Sequence, residues 1–162
     1  MIRPVTQSDA QAICGIYNYY VLNTIVTFEE EEIPAEEMRS RIATVAEKYP
    51  WFVYEERGDI KGYTYASPWK ARNSYRHSVE TTVYLQHGEN GKGIGSKLYQ
   101  ALFEALGKQG IHAAIGGIAL PNEASVALHE KFGMVKVADF KEVGYKFDRW
   151  IDVGYWEKIL PQ

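Results

Sequence analysis

Residues 84–106 read YLQHGENGKGIGSKLYQALFEAL. The segment opens as a strand, passes four glycines (Gly88, Gly91, Gly93 and Gly95), and continues as an amphipathic helix whose Ile94, Leu98, Leu102 and Leu106 recur every fourth residue. Such a helix packs one face on a sheet. Its free N-terminal N–H groups and dipole form a site for a phosphate or pyrophosphate, and glycines let that group approach the backbone closely. Two familiar phosphate binders are excluded. A Walker A loop needs Lys-Ser/Thr after its second glycine, but Gly93 is followed by Ile94 and Gly95. The dinucleotide pattern Gly-x-Gly-x-x-Gly breaks at Ser96, and the first strand of the chain lies far upstream.

The flanking sequence supplies a mixed α/β (α+β) order. MIRPVT predicts a short strand and SDAQAICGIYNYYV a helix opened by Ser8 or Asp9. NTIVTFEEEEI reads as an irregular connection whose acidic run, Glu29 to Glu32, is solvated, and Pro34 starts a helix to about Lys48. A hairpin turns at Arg57-Gly58-Asp59, and SVETTVYL is a strand. After the helix that ends near Gln109 come a strand AAIGGIAL, a helix from Asn122 to Phe132, and strands at VKVADF and DVGYWEKI. The sum is one domain over residues 1–162, antiparallel early, with a strand-helix-strand unit at its centre.

Composition narrows the function. The chain is 46% hydrophobic and 14% aromatic, which favours a packed core, and its net charge of −3 gives no basic footprint for nucleic acid. The opening residues lack the basic flank and apolar stretch of a signal peptide, and no run reaches the roughly 20 apolar residues of a membrane span. The expected location is the cytoplasm. Cys14 is the single cysteine and reads as a small buried hydrophobe. His77, His87, His112 and His129 lack ligand spacing, so no metal is expected.

Two motifs in sequence order carry a resemblance. Asn90-Gly91-Lys92-Gly93-Ile94-Gly95 resembles the Gln/Arg-x-x-Gly-x-Gly/Ala signature of the GNAT superfamily of acyl-CoA N-acyltransferases, and NEASVALHEKFGM resembles its Asn…Tyr…Gly-Phe segment. Within that superfamily, SPWKARNSYRHSVETTVYL, LPNEASVALHEKFGM and VGYKFDRWIDVGYW look like the phosphinothricin and methionine sulfoximine N-acetyltransferases. Asn90 stands where Gln or Arg is usual, and Gly91 where many members carry Arg.

The resemblance implies a GNAT fold with a mostly antiparallel central sheet flanked by helices. It implies acetyl-CoA as cosubstrate, a small amino-acid-like acceptor, and a homodimer through FDRWIDVGYW. Gly91, Lys92, Gly93, Ile94, Gly95 and Ser96 would hold the pyrophosphate, backbone groups of Val83, Tyr84 and Leu85 the pantetheine arm, and Asn122 and Ser125 would also face the coenzyme. Glu80 would be the base that takes the proton from the amine. Strand alternation puts it with Thr82 and Tyr84, opposite Val79, Thr81, Val83 and Leu85. Asn122, Ser125 and His129 share one helical stripe beside Ala124, Leu128 and Phe132, and His129 reads as acid, second base or structural histidine. Arg72, with Lys70 and Tyr75, would grip an acceptor carboxylate, Phe28, Tyr84 and Val153 would line its side-chain pocket near Trp69, and Thr82 would also bind the acceptor. An acetyltransferase for another small amine or a protein N-terminus, and a non-catalytic CoA-binding domain, remain alternatives.

Overall fold

The computed structural model describes residues 1–161. Seven strands form one sheet: β1 (Ile2–Pro4), β2 (Trp51–Glu56), β3 (Asp59–Pro68), β4 (Ser78–Leu85), β5 (Ala113–Ala119), β6 (Val135–Lys146) and β7 (Arg149–Ile159). Their spatial order is β1-β2-β3-β4-β5-β7-β6. Every neighbouring pair is antiparallel except β4 and β5, which run parallel because a helix crosses between them. Four helices, α1 (Ala10–Asn23), α2 (Ala35–Ala46), α3 (Ile94–Lys108) and α4 (Glu123–Lys131), cover the two faces.

The alternation in β4 decides which helix meets which face. Val79 and Val83 pack with Tyr99, Leu102 and Leu106 of α3. On the other face Tyr63 of β3 and Tyr84 of β4 join Ile13 and Tyr17 of α1 and Met38 and Ile42 of α2. Glu80 and Thr82 therefore look toward the α1/α2 side.

The sequence reading of β4, α3, β5 and α4 agrees with the structure within one or two residues. Four details differ. Asp9 stands at the N-cap of α1 as expected, but the helix is entered through a short turn over Gln7–Asp9 in which the Thr6 N–H donates to the Asp9 carboxylate at 2.7 Å, so that side chain serves the turn and not the first N–H groups of α1. Glu29 leaves the solvated run to bind Arg41 and accept from the Tyr17 hydroxyl at 2.7 Å. Ala124 is exposed, and Val126 packs toward the sheet from α4 in its place. The last two strands are longer than VKVADF and DVGYWEKI, because Phe147 and Asp148 take left-handed conformations and turn the hairpin without glycine.

Candidate active site

β4 and β5 pair only through Ser78–Ala113, Val79–Ala114 and Glu80–Ile115. Beyond those pairs the strands part. The Gln86 N–H donates to the Lys61 carbonyl (2.8 Å) and the Trp69 N–H to the Ser78 carbonyl (3.3 Å), which fixes the phase of the β3–β4 ladder. Glu80, Thr82 and Tyr84 then direct both backbone groups at β3, while the Thr81 carbonyl and both backbone groups of Val83 and Leu85 face the gap, the Thr81 N–H closing the last pair with Ile115. From the other side, Leu120 N–H to Asp152 O and Leu160 N–H to His112 O fix the β5–β7 phase, so Gly117 and Ala119 also present backbone to the gap. Of these groups the Leu85 carbonyl is already taken by the Tyr20 hydroxyl at 2.5 Å. A sheet with free edges in its interior can accept an extended, amide-bearing ligand as an added strand.

The glycine loop stands at the wide end of the gap. Gly88, Gly91 and Gly93 have φ of 88°, 79° and 78°, a region that side chains resist, and Gly93 is the residue from which α3 starts. The first-turn N–H groups of Ile94, Gly95 and Ser96 have no partner inside the helix. Gly95 differs from the other glycines. It is buried, and a Cβ there would rest against Leu128 of α4 at 3.4 Å, an ordinary contact, so its place is set where α3 and α4 meet. Lys92 is held by Glu89 at 2.8 Å. The cation at the helix mouth is Lys131, whose Nζ donates to Ser96 Oγ at 2.9 Å. The two residues lie far apart in sequence, which is why the pattern of either segment alone does not reveal the pair.

At the point where the strands part, the two faces carry different chemistry. On the α3/α4 side His129 is 3% exposed, and its Nε2 stands 2.6 Å from the place a Cβ of Gly116 would occupy. His129 Nδ1 donates to the Ser125 carbonyl at 2.7 Å, which requires the proton on Nδ1. Nε2 then accepts from the Tyr99 hydroxyl at 2.9 Å, and Tyr99 accepts from Thr81 Oγ1 at 3.1 Å. Both ring nitrogens are satisfied inside the protein, and burial pushes the imidazole pKa down. A neutral ring whose Nε2 accepts has no proton there to give. Asn122 caps α4 by accepting from the Ser125 N–H at 3.1 Å.

On the α1/α2 side Glu80 is half-buried and makes no hydrogen bond among the described residues. Burial raises its pKa, and Lys70 opposes that by its charge. Tyr65, Tyr99 and Tyr155 lie within electrostatic reach of its carboxylate. Trp69 meets Tyr155 edge to face at 5.7 Å. Among the residues expected to bind an acceptor, Thr82 shares the face of Glu80, and Lys70 lies near it. Arg72 and Tyr75 are exposed in the β3–β4 connection, without contact to Glu80. Across the gap Val153 pairs with Ala119 and Phe140, and Phe28 lies over Gly144, where a Cβ would meet its ring at 2.4 Å. Sequence reasoning missed Lys131, Tyr99, Tyr20 and Tyr65. Among the described residues no cluster of three His, Cys, Asp or Glu could hold a metal ion, and no helix is long and apolar enough to cross a membrane.

The chain is similar to known proteins over nearly its whole length. The family described as acetyltransferase (GNAT) domain matches residues 2–154. A phosphinothricin N-acetyltransferase of Streptomyces viridochromogenes is 40% identical over 97% of this chain and 86% of its own length. An L-methionine sulfoximine/L-methionine sulfone acetyltransferase of Salmonella typhimurium is 32% identical over 99% of this chain and 95% of its own. The crystal structure of a GNAT phosphinothricin acetyltransferase from Sinorhizobium meliloti in complex with AcCoA superposes with a TM-score of 0.95, at 34% identity over 99% of this chain and 88% of that one.

Two outcomes follow from this geometry. Lys131→Ala weakens binding of coenzyme A, used as a pyrophosphate-bearing probe, by about three- to tenfold at low salt, the scale of one charged hydrogen bond near the surface. The difference shrinks as salt rises. Calorimetry checks this, and an unchanged affinity removes Lys131 from the cradle. For His129, nitrogen NMR shows the proton on Nδ1 and a titration below the ordinary histidine value of about 6.5. The folded state then binds fewer protons at this ring than the unfolded chain, so its contribution to stability is lost as pH falls below that value. A ring titrating normally would contradict the buried chain of hydrogen bonds.

Proposed function

Because the chain belongs to the GNAT acetyltransferase family, we propose that it moves acetyl from acetyl-CoA to the amino group of a small amino-acid-like acceptor, of the phosphinothricin, methionine sulfoximine and methionine sulfone class. The observation that carries this reading is Glu80, half-buried and unpaired, at the point where β4 and β5 part. The residues present fit acetyl-CoA as cosubstrate. Val83 and the Leu85 N–H offer strand-like partners to its pantetheine arm, and Asn122 keeps its side-chain NH₂ unused among the described residues. The N–H groups from Gly91 to Ser96, with Lys131, receive its pyrophosphate.

The reaction is direct transfer. The only cysteine, Cys14, is buried in α1 with Sγ toward the Ile33 carbonyl at 3.1 Å, so it offers no acetyl-enzyme route. Glu80 accepts the proton that turns the arriving ammonium into an amine, the amine nitrogen bonds the acetyl carbon, the C–S bond breaks with its electrons on sulfur, and the second proton shed by the nitrogen neutralises the departing thiolate. Holding both substrates at the parting of the strands supplies much of the acceleration. His129 positions this point through Tyr99 and Gly116. Arg72, Lys70 and Tyr75 receive the acceptor carboxylate from the β3–β4 connection, while Phe28, Thr82, Tyr84 and Val153 flank the acceptor at the entrance to its site. The single domain, residues 1–162, acts in the cytoplasm without nucleic acid or membrane partner, in keeping with its net charge of −3. It pairs as a homodimer. The edge strand β6 and its hairpin expose Val135, Val137, Phe140, Tyr145, Phe147 and Trp150, more apolar surface than a solvated edge carries.

Glu80→Gln lowers turnover by about 10²-fold or more while coenzyme binding stays, and a much smaller loss would demote Glu80. Because burial raises the Glu80 pKa, the acid limb of kcat/KM lies above the ordinary carboxylate range, and Lys70→Ala, which removes an opposing charge, moves it higher. An acid limb that stays put in Lys70→Ala would point to another base. For the assembly, sedimentation shows a dimer that Trp150→Glu converts to monomer; a wild-type monomer would rule the pairing out.

A further inference from the structure

A cavity of about 370 Å³ opens on the α1/α2 side of the sheet. Trp51, Tyr63, Tyr65 and Ser67 of β2 and β3 form its floor, and Arg41 and Val45 are among the α2 residues of its wall. One end adjoins the reaction point. Ser67 pairs with Glu80 and Tyr65 with Thr82 across the β3–β4 ladder, and paired residues share a face. Tyr65 lies within electrostatic reach of both Glu80 and Arg41, so the cavity runs from the base toward α2.

Its lining has two chemical features. The floor is aromatic: Trp51 stacks on Tyr65 at 4.2 Å, and the Tyr63 and Tyr65 rings are nearly parallel at 6.3 Å. It also holds donors without acceptors. Tyr63 is 1% exposed and its hydroxyl has no hydrogen bond among the described residues, and the buried Trp51 Nε1 has none either. Interiors rarely leave such groups unmet. The charges, by contrast, are spent. Arg41 donates to Glu29 at 2.6 and 3.3 Å and to Glu37 at 3.1 Å, one cation against two carboxylates. No positive charge remains to compensate for a buried anion.

We propose that this cavity receives the acceptor's side chain and selects an uncharged group rich in hydrogen-bond acceptors, such as a sulfone or sulfoximine, which takes the Tyr63 hydroxyl. The inference rests on the reading of Glu80 as the base for an amino-acid acceptor. It places an anionic phosphinate second to the neutral oxidised thioethers.

The test compares methionine sulfone with methionine, which has the same chain without the oxygens. Tyr63→Phe keeps the ring and removes the hydroxyl, so kcat/KM for the sulfone falls about three- to tenfold while that for methionine is unchanged. Val45→Phe, which fills the cavity from α2, lowers both and spares coenzyme A affinity. An independent readout is the Trp51 indole N–H signal in NMR, identified by its loss in Trp51→Phe; methionine sulfone shifts it in enzyme holding coenzyme A. If the sulfone shifts that signal but neither amino acid is acetylated, the cavity stands and the proposed reaction falls. If the sulfone is acetylated while the signal stays still and Tyr63→Phe leaves the sulfone-to-methionine ratio unchanged, the cavity inference is overturned. A kcat/KM higher for phosphinothricin than for methionine sulfone overturns the preference for a neutral group.

Discussion

Three residue pairs hold β4 to β5, and the rest of the site depends on their stopping there. A continued ladder would bury every backbone group between the strands and leave no place for a ligand. The divergence begins where α4 presses on the sheet: His129 occupies the space a side chain at position 116 would need, and Tyr99 ties it to Thr81 on the first unpaired stretch of β4. A buried, fully satisfied polar chain is rigid because each member would lose a partner if another moved. The same chain that fixes the opening gives both ring nitrogens of His129 a partner inside the protein.

The opening has two sides with opposite electrostatics. Toward α3 and α4 it offers unpaired N–H groups, a helix N-terminus and the ammonium of Lys131, all suited to phosphates. Toward α1 and α2 it offers the unpaired carboxylate of Glu80 among tyrosines. A polyanionic coenzyme and a cationic amine are thus drawn to different sides of one point in the sheet. That division suits the proposed direct transfer, in which the reacting atoms would meet at the parting of the strands and the proton would go to the side from which the amine came.

What could be read from the sequence and what could not divide along the range of the interaction. β4, α3, β5 and α4 follow from local periodicity, turn residues and the Asn122 cap, all written within a few neighbouring residues. The Phe147-Asp148 turn escaped because its left-handed residues are not the glycine or asparagine that usually mark one. Glu29 read as solvated because its partner, Arg41, lies a helix away, and Lys131 read as an ordinary helix-end lysine because Ser96 reaches it only after the sheet has formed. The stripe of Asn122, Ser125 and His129 was visible, yet whether His129 gives a proton or holds a strand depended on Tyr99, which the helical pattern marks only as another α3 residue.

The loop's departures from the family signature can be weighed in the same terms. Gly91 stands where the resemblance expects arginine, and at φ 79° glycine is the residue that adopts this backbone without strain. The loss is of a long cationic side chain, not of the backbone N–H groups, which the turn conformations at Gly91 and Gly93 and the start of α3 still present. Lys131 restores a positive charge to the same mouth from α4, and Lys92, in the loop itself, is restrained by Glu89. Charge near a phosphate acts through distance and screening more than through the element that carries it. A cation supplied by α4 can therefore stand in for one lost from the loop, and under the proposed function it would couple the phosphate end of the coenzyme to the helix that also carries His129.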